Sequence, residues 1–235
     1  MEVKVRLFAH YREIAKSSEI TLDLPSGSSV NDVKRAVEAR FPGLDLGGGM
    51  AAVNEELASP DTPLSDGDEV AFLPPVSGGE EEDGEGGGET VRTGLTEQAL
   101  EPLLGELIAW ATAPAYGAVV SFAGTTRSPN KGREVRYLEY EAYSPMAEKI
   151  LNKIVAELRQ QWALGRIAIV HRLGRVYPAE ISLIIVISAP HRPEAFAASR
   201  QALERIKKIL PVWKKEYFSD GEVWVEGAID EDYRL

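Results

Sequence analysis

The chain has 235 residues, 44% of them hydrophobic, and a net charge of −11 from 26 basic and 37 acidic side chains. That acidic surplus disfavours nucleic-acid binding, which needs a basic surface. The absence of cysteine removes disulfides, thiolate-bound metals and a thiol nucleophile.

Val3, Val5 and Leu7 alternate with Lys4 and Arg6, the period-two pattern of a half-buried strand. Ile20, Leu22 and Leu24 repeat it. Pro25-Ser26-Gly27 turns the chain, and Ser29 is placed to cap a helix carrying Val30, Val33, Val37 and Phe41 at helical spacing. Pro42-Gly43 ends that helix. Met50–Val53 reads as a short strand, and Asp66-Gly67 turns into a last strand over Glu69–Leu73. Strand–strand–helix–strand–strand in under 80 residues predicts a β-grasp, ubiquitin-like domain over residues 1–79, ending in the arm Pro74-Pro75-Val76-Ser77-Gly78-Gly79.

Residues 80–89 hold six acids and no base among glycines, a composition that predicts a solvated tether. Charge is uneven about it: residues 1–79 carry −6, residues 80–89 another −6, and residues 90–235 carry +1. The tether divides the chain into a first domain (1–79), a linker (80–89) and a second domain (90–235). Gly78-Gly79 is a motif of interest, because glycine lets a backbone thread a narrow channel and approach other groups closely.

In the second domain, Leu95, Ala99, Leu103, Leu107 and Trp110 share a helical face, with Thr96 a candidate cap. Gly117–Phe122 reads as a strand, Ala123–Arg127 as a loop, and Val135–Tyr143 as a strand. Met146, Ile150, Ile154 and Leu158 mark a second helix. Ile167–His171 and Ser182–Ser188 follow as strands. Residues 192–210 form a helix expected to turn Phe196, Leu203, Ile206 and Leu210 inward, broken by Pro211. Val212–Phe218 and Val223–Val225 close the domain as paired strands. The pattern is α+β without internal repeats.

Four groups in this domain could carry chemistry. Arg127 follows a Gly-Thr-Thr loop, and arginine binds phosphate through a fork of donors. It is either an anion ligand or part of a solvated hairpin, the reading preferred for Lys131, Arg133 and Arg136. His191-Arg192 lies at a strand-to-helix junction, where free N–H groups and the helix dipole suit an anion. Its alternative is a cap at His191 with Arg192 paired to Glu194. His171-Arg172 is a weaker copy of the same signal, read as structural. Lys207, at the edge of the buried helix face, either snorkels to water or is partly desolvated and suited to proton transfer. Position alone favours snorkelling. Lys214 follows Pro211, which redirects the chain, so Lys207 and Lys214 need not lie along one helix. With only His10, His171 and His191 present, far apart in sequence, no metal site is expected. No signal-peptide pattern and no apolar run of membrane-spanning length is present, which points to a cytoplasmic protein without membrane contact.

Two sets of motifs resemble one known enzyme family. Val5-Arg6-Leu7-Phe8-Ala9, Ala51-Ala52-Val53-Asn54 and the run from Leu64 to Gly79 are similar to the small sulfur-carrier subunit of molybdopterin synthase. Phe122–Arg127, Glu139–Tyr143, Met146-Ala147-Glu148, His171–Gly174, Ser188–Arg192 and Lys207–Glu216 resemble its large catalytic subunit. The resemblance implies an α/β hammerhead-type catalytic domain behind the β-grasp carrier. The implied reaction converts cyclic pyranopterin monophosphate to molybdopterin with two sulfurs delivered as a Gly79 thiocarboxylate. It further implies Lys207 and Lys214 as catalytic lysines and Arg127, His191 and Arg192 as substrate-pocket residues. No metal or organic cofactor is implied. The expected partners are the pterin phosphate, an adenylating and sulfur-loading enzyme for the carrier, and a second copy of the chain docked through the C-terminal domain. In that family the last glycine is a free C-terminus, whereas Gly79 is followed by Glu80, so cleavage after Gly79 is expected. The alternative is a non-catalytic scaffold or self-inhibited fusion in which the ubiquitin-like domain is a permanent clamp.

Overall fold

In the computed structural model, which describes residues 1–47, 49–74 and 90–225, the alternation of Val3, Val5 and Leu7 builds β1 (Glu2–Leu7) with those three side chains sealed from water. The chain continues through α1 (Ala9–Ala15), β2 (Glu19–Asp23), α2 (Val30–Arg40), β3 (Met50–Val53), β4 (Glu56–Ala58) and β5 (Glu69–Leu73). The sheet order is β2-β1-β5-β3-β4, with β1 and β5 parallel at the centre and the other pairs antiparallel. Val30, Val33 and Val37 of α2 are fully buried in one cluster with Val5, Leu7, Val70 and Phe72, because 3.6-residue periodicity aims them at one sheet face. The helix starts at Ser29, whose backbone N–H donates to the Asp32 carboxylate at 2.8 Å. That acid, beside the positive end of the helix dipole, is held down at a pKa of about 2, chiefly by hydrogen bonds from Ser29 and Arg35. This is the expected β-grasp. The short α1 and β4 were not expected. Gly78, Gly79 and the 80–89 tether lie outside the described residues.

Residues 90–225 form a second compact unit. Its elements are β6 (Val91–Thr96), α3 (Glu101–Ala111), β7 (Ala118–Thr125), β8 (Val135–Ala142), α4 (Ser144–Gln161), β9 (Ile167–Arg172), β10 (Gly174–Val176), β11 (Ile181–Ala189), α5 (Arg192–Ile209), β12 (Val212–Phe218) and β13 (Gly221–Val225). One sheet has the order β6-β9-β11-β7 and the other β10-β8-β12-β13. Every residue of β11 is buried. Ile184 and Val186 pack with Leu100, Leu107 and Ala111 beneath α3. Ile185 and Ile187, one pleat away, are equally sealed, since α5 also packs on β11. Each of α3, α4 and α5 carries a proline in its first turn, where the missing N–H costs nothing.

Three local expectations need correction. Thr96 does not cap a helix. It ends β6, which pairs in parallel with β9 along its whole length, and the helix starts after Leu100. Gly124 and Thr125 are not loop but the end of β7, paired against Leu183 and Ile181 of β11. Phe196 does not face inward. It is 62% exposed, and α5 instead buries Ala195, Ala198, Ser199, Ala202, Ile206 and Ile209. Small side chains let this helix lie close on the sheet, and the bulky Phe196 is left outside.

Candidate active site

β12 runs between β8 and β13, with Lys214 opposite Tyr140 and Glu216 opposite Leu138. Alternation along the strand puts Lys214 and Glu216 on one face with Leu138 and Tyr140. The last turn of α5 carries Lys207 to the same place, because Leu210 and the buried Pro211 end the helix and turn the chain straight into β12. From the other side comes the end of β7. Its exit is fixed by two backbone bonds, Thr126 N–H to the Glu180 carbonyl at 3.0 Å and Ala179 N–H to the Thr126 carbonyl at 2.8 Å. The following residue is Arg127. A cavity of about 310 Å³ results, lined by Arg127, Lys207, Lys214, Asn130, Glu216 and Tyr140, with Thr125, Thr126, Val135 and Leu138 completing the wall.

Electrostatically this wall is a cationic pocket with one buried acid. Glu216 is 5% exposed. Its Oε1 lies 2.9 Å from Lys214 Nζ, and its Oε2 accepts a hydrogen bond from Asn130 Nδ2 at 2.8 Å. Asn130 Oδ1 in turn accepts from Arg127 Nη2 at 3.0 Å. Burial pushes the Glu216 carboxyl up, but the bonds from Lys214 and Asn130 and the charges of Lys214 and Lys131 outweigh it and hold the group below the usual carboxylate range. Among the described residues, no carboxylate pairs with Lys207 or Arg127 within 4.0 Å, so both cations are available to an anionic guest.

Behind Tyr140 lies His171, its ring edge-on to the tyrosine at 5.0 Å between centroids. Its Nδ1 is 2.8 Å from the Arg172 carbonyl, and burial pulls its pKa down to about 4. Arg172 pairs with Glu180 at 3.0 Å. Both are part of the packing, as the sequence suggested. Arg133 pairs with Asp220 at 2.6 Å and lies over the Phe218 ring, a hairpin role rather than a ligand's.

Of the residues singled out in sequence, Arg127, Lys207 and Lys214 meet in the cavity. His191 and Arg192 do not reach it within one chain. They are exposed at the first turn of α5, and a helical rise of about 1.5 Å per residue puts Arg192 roughly 22 Å from Lys207. Gly79 lies outside the described residues. Asn130, Glu216 and Tyr140 were given no role in sequence. The Lys214-x-Glu216 spacing on a strand is the signal that could have found Glu216. Asn130 had none, since its partners are 3 and 86 residues away. Among the described residues, no group of three or more His, Cys, Asp or Glu is placed to hold a metal ion, and no helix is long and apolar enough to cross a membrane.

Comparison with known proteins returns matches for both halves. Residues 96–209 match the family model described as MoaE protein, and residues 5–79 match the ThiS family. The molybdopterin synthase catalytic subunit of Halalkalibacterium halodurans is 46% identical over 117 residues, which is 50% of this chain and 75% of the relative. The catalytic subunit from Staphylococcus aureus strain Mu50 is 45% identical over 129 residues, 54% of this chain and 87% of the relative. Among solved structures, molybdopterin synthase from Staphylococcus aureus superposes with a TM-score of 0.53 at 39% identity, covering 56% of this chain and 95% of that one. Arg127, His191, Arg192 and Lys207 fall inside the first family match, and Lys214 lies just beyond it.

Proposed function

Because the chain belongs to the MoaE family of molybdopterin synthase catalytic subunits, enzymes of molybdenum cofactor biosynthesis, and carries a ThiS-family domain ahead of that unit, we propose that its two halves are the sulfur donor and the catalyst of one reaction. The substrate is cyclic pyranopterin monophosphate, and two sulfurs are transferred to it as the dithiolene of molybdopterin. Each sulfur arrives as a thiocarboxylate on Gly79, after an adenylating enzyme has activated that carboxyl group. The chain therefore acts as a sulfurtransferase.

The observation that supports this reading is the convergence of Arg127, Lys207 and Lys214 on one cavity of about 310 Å³. That volume is at the lower end of small-molecule sites, which run from roughly 300 Å³ upward. Arg127 offers a fork of donors to the phosphate. His191 and Arg192 join it from a second copy of the chain, since they sit at the far end of α5 from Lys207. Lys207, which has no carboxylate partner among the described residues, serves as acid/base or holds the charge that develops as sulfur adds to the pterin side chain. Lys214, steadied by Glu216, holds the carrier's carbonyl group or an acyl intermediate. The two lysine roles are interchangeable on this geometry.

The test is molybdopterin formation by the processed, sulfur-loaded protein given the cyclic precursor. Lys207→Ala and Lys214→Ala should each lower kcat by about 100-fold or more, the usual scale for losing an acid/base or charge-stabilising group. Turnover that survives both substitutions unchanged rules the site out. A wild-type protein that gives no turnover at all would leave the clamp reading, in which the ubiquitin-like domain is a fixed cover and the fusion a scaffold.

A further inference from the structure

Asn130 stands between two groups of opposite hydrogen-bonding character. On one side is the Arg127 guanidinium, which can only donate. On the other is the Glu216 carboxylate, which when ionised can only accept. A carboxamide has one end of each kind, so a single orientation satisfies both neighbours: Oδ1 toward Arg127 Nη2 at 3.0 Å and Nδ2 toward Glu216 Oε2 at 2.8 Å. The other carboxylate oxygen, Oε1, holds Lys214 Nζ at 2.9 Å. The result is one unbroken chain, Arg127–Asn130–Glu216–Lys214, along the cavity wall.

The backbone under Asn130 is as constrained as its side chain. Asn130 and Arg133 exchange two backbone hydrogen bonds, both 3.0 Å, around Lys131 and Gly132. Those two residues have φ of 49° and 78°, the left-handed pair of a tight two-residue hairpin turn. The hairpin is tied down by Val135 N–H donating to Ser128 Oγ at 3.0 Å and by Arg133, paired with Asp220 at 2.6 Å and laid over the Phe218 ring at 3.7 Å. Long side chains such as Arg127 and Lys214 lose much of their rotamer freedom when ordered. Asparagine has two side-chain torsions, and here its backbone is fixed, so it orders its neighbours at little further cost.

We propose that Asn130 is a positioning residue for the sulfur transfer, setting the distance between the anion-holding Arg127 and the reactive Lys214. The inference rests on the function proposed above. Its physical basis is that group transfer falls off steeply when reacting groups are misplaced by about 1 Å. Other side chains fail at this position for separate reasons. Alanine breaks the chain on both sides. Aspartate keeps the shape and the bond from Arg127 but turns a second carboxylate on Glu216. Like charges at that range cannot both stay ionised.

The groups facing Glu216 are Lys214 on its own strand, Lys131 and Asn130 on the hairpin, Arg127 beyond Asn130, Lys207 from α5 and Tyr140 from β8. In the wild type, Lys214 and Asn130 hold its carboxyl low, so the Glu216–Lys214 pair survives well into acid. Removing the Asn130 donor, or replacing it by a carboxylate, moves the titration up. The pair is then lost at a higher pH as acid is added.

The experiment uses the processed, sulfur-loaded protein with the cyclic precursor, and measures kcat and KM against pH for wild type, Asn130→Ala and Asn130→Asp. Melting temperatures are taken on the same samples. Both variants should lower kcat by about tenfold or more per folded molecule. The acid limb of the kcat profile should shift to higher pH, further for Asn130→Asp than for Asn130→Ala. If Asn130→Ala does not fold, the near-isosteric Asn130→Asp carries the test alone. Three outcomes overturn the inference: kcat and acid limb both unchanged; a lower melting temperature with unchanged kcat per folded molecule, which marks a merely structural residue; or a rise in KM alone, which would leave Asn130 serving Arg127 without Lys214. A wild-type protein that makes no molybdopterin overturns the underlying function itself, and this inference with it.

Discussion

Glu216 and His171 are both titratable groups taken out of water within a few residues of the cavity, and they end in opposite charge states. Glu216 stays ionised because Lys214, Asn130 and Lys131 repay its lost hydration. Among the described residues, the hydrogen-bond partner of His171 is a backbone carbonyl, which the neutral ring can satisfy with one N–H, so burial wins and its pKa falls to about 4. The stability consequence follows from the sign of that shift. Unfolded, the ring takes up its proton near pH 6.5. Folded, it resists until about pH 4. Between those values the unfolded chain binds more protons, so stability is full above pH 6.5 and declines as pH falls toward 4. At pH 5 the loss from this group alone should be about 2 kcal/mol relative to pH 7.5. Denaturant melts of wild type and His171→Asn at both pH values check it. The wild type should lose about 2 kcal/mol more than the variant across that range, and equal losses would show that His171 is not buried neutral.

The α5 helix shows at the next scale what the sequence could disclose. Its existence, its start at the His191-Arg192 junction and its stop at Pro211 were legible, because each depends on neighbours in sequence. Its buried face was not. Phe196 is the most hydrophobic residue of its first turns and was assigned inward, yet Ala195, Ala198 and Ala202 do the packing. Close approach of helix to sheet rewards small side chains, and that preference depends on the opposing surface, which sequence periodicity does not contain. β6 was misread for the same reason. Gly94 weakens the strand signal that Val91 and the two threonines carry, and the parallel pairing with β9 supplies the rest. The site divides along this line as well. Arg127, Lys207 and Lys214 stand out by type and position, but position alone favours snorkelling for Lys207 and leaves Arg127 open, and the family resemblance supplies their roles, whereas Asn130 and Glu216 acquire meaning only through partners brought together by folding.

The same helix separates Arg192 from Lys207 by roughly 22 Å, and this has a direct consequence for assembly. If both serve one substrate, they come from different copies of the chain. Lys207→Ala and Arg192→Ala chains, each nearly inactive alone, should then restore activity when mixed and allowed to exchange subunits. In a symmetric dimer about a quarter of all sites would pair an intact Lys207 with an intact Arg192. Gel filtration of the mixture and its molybdopterin output together check this. No recovery in a mixture shown to contain mixed dimers would return Arg192 to a purely local role.

If the two halves are donor and catalyst, as proposed, one polypeptide must both tether the donor and let it be loaded. A segment of ten residues reaches at most about 33–36 Å, and such a link holds two units near millimolar effective concentration. That favours encounter but obstructs loading. Between Gly79 and Glu80 lies an amide, and an amide carbonyl has no oxygen that an adenylating enzyme can activate. A thiocarboxylate therefore requires that this bond be cut first. The charge distribution suits a carrier that separates and returns: its 79 residues carry −6, whereas the catalytic part carries +1 and places three cations, Arg127, Lys207 and Lys214, on one cavity. Cutting converts an intramolecular encounter into one that depends on carrier concentration and on salt, since the attraction between exposed charges is screened within about 8–10 Å at physiological ionic strength. Intact-mass measurement on protein from a host that makes molybdopterin should find one fragment ending at Gly79, free or as its thiocarboxylate, and another beginning at Glu80. A host that makes the cofactor from this chain while containing only the uncut species would sink the processing step. It would require sulfur to reach the cavity by some carrier other than Gly79.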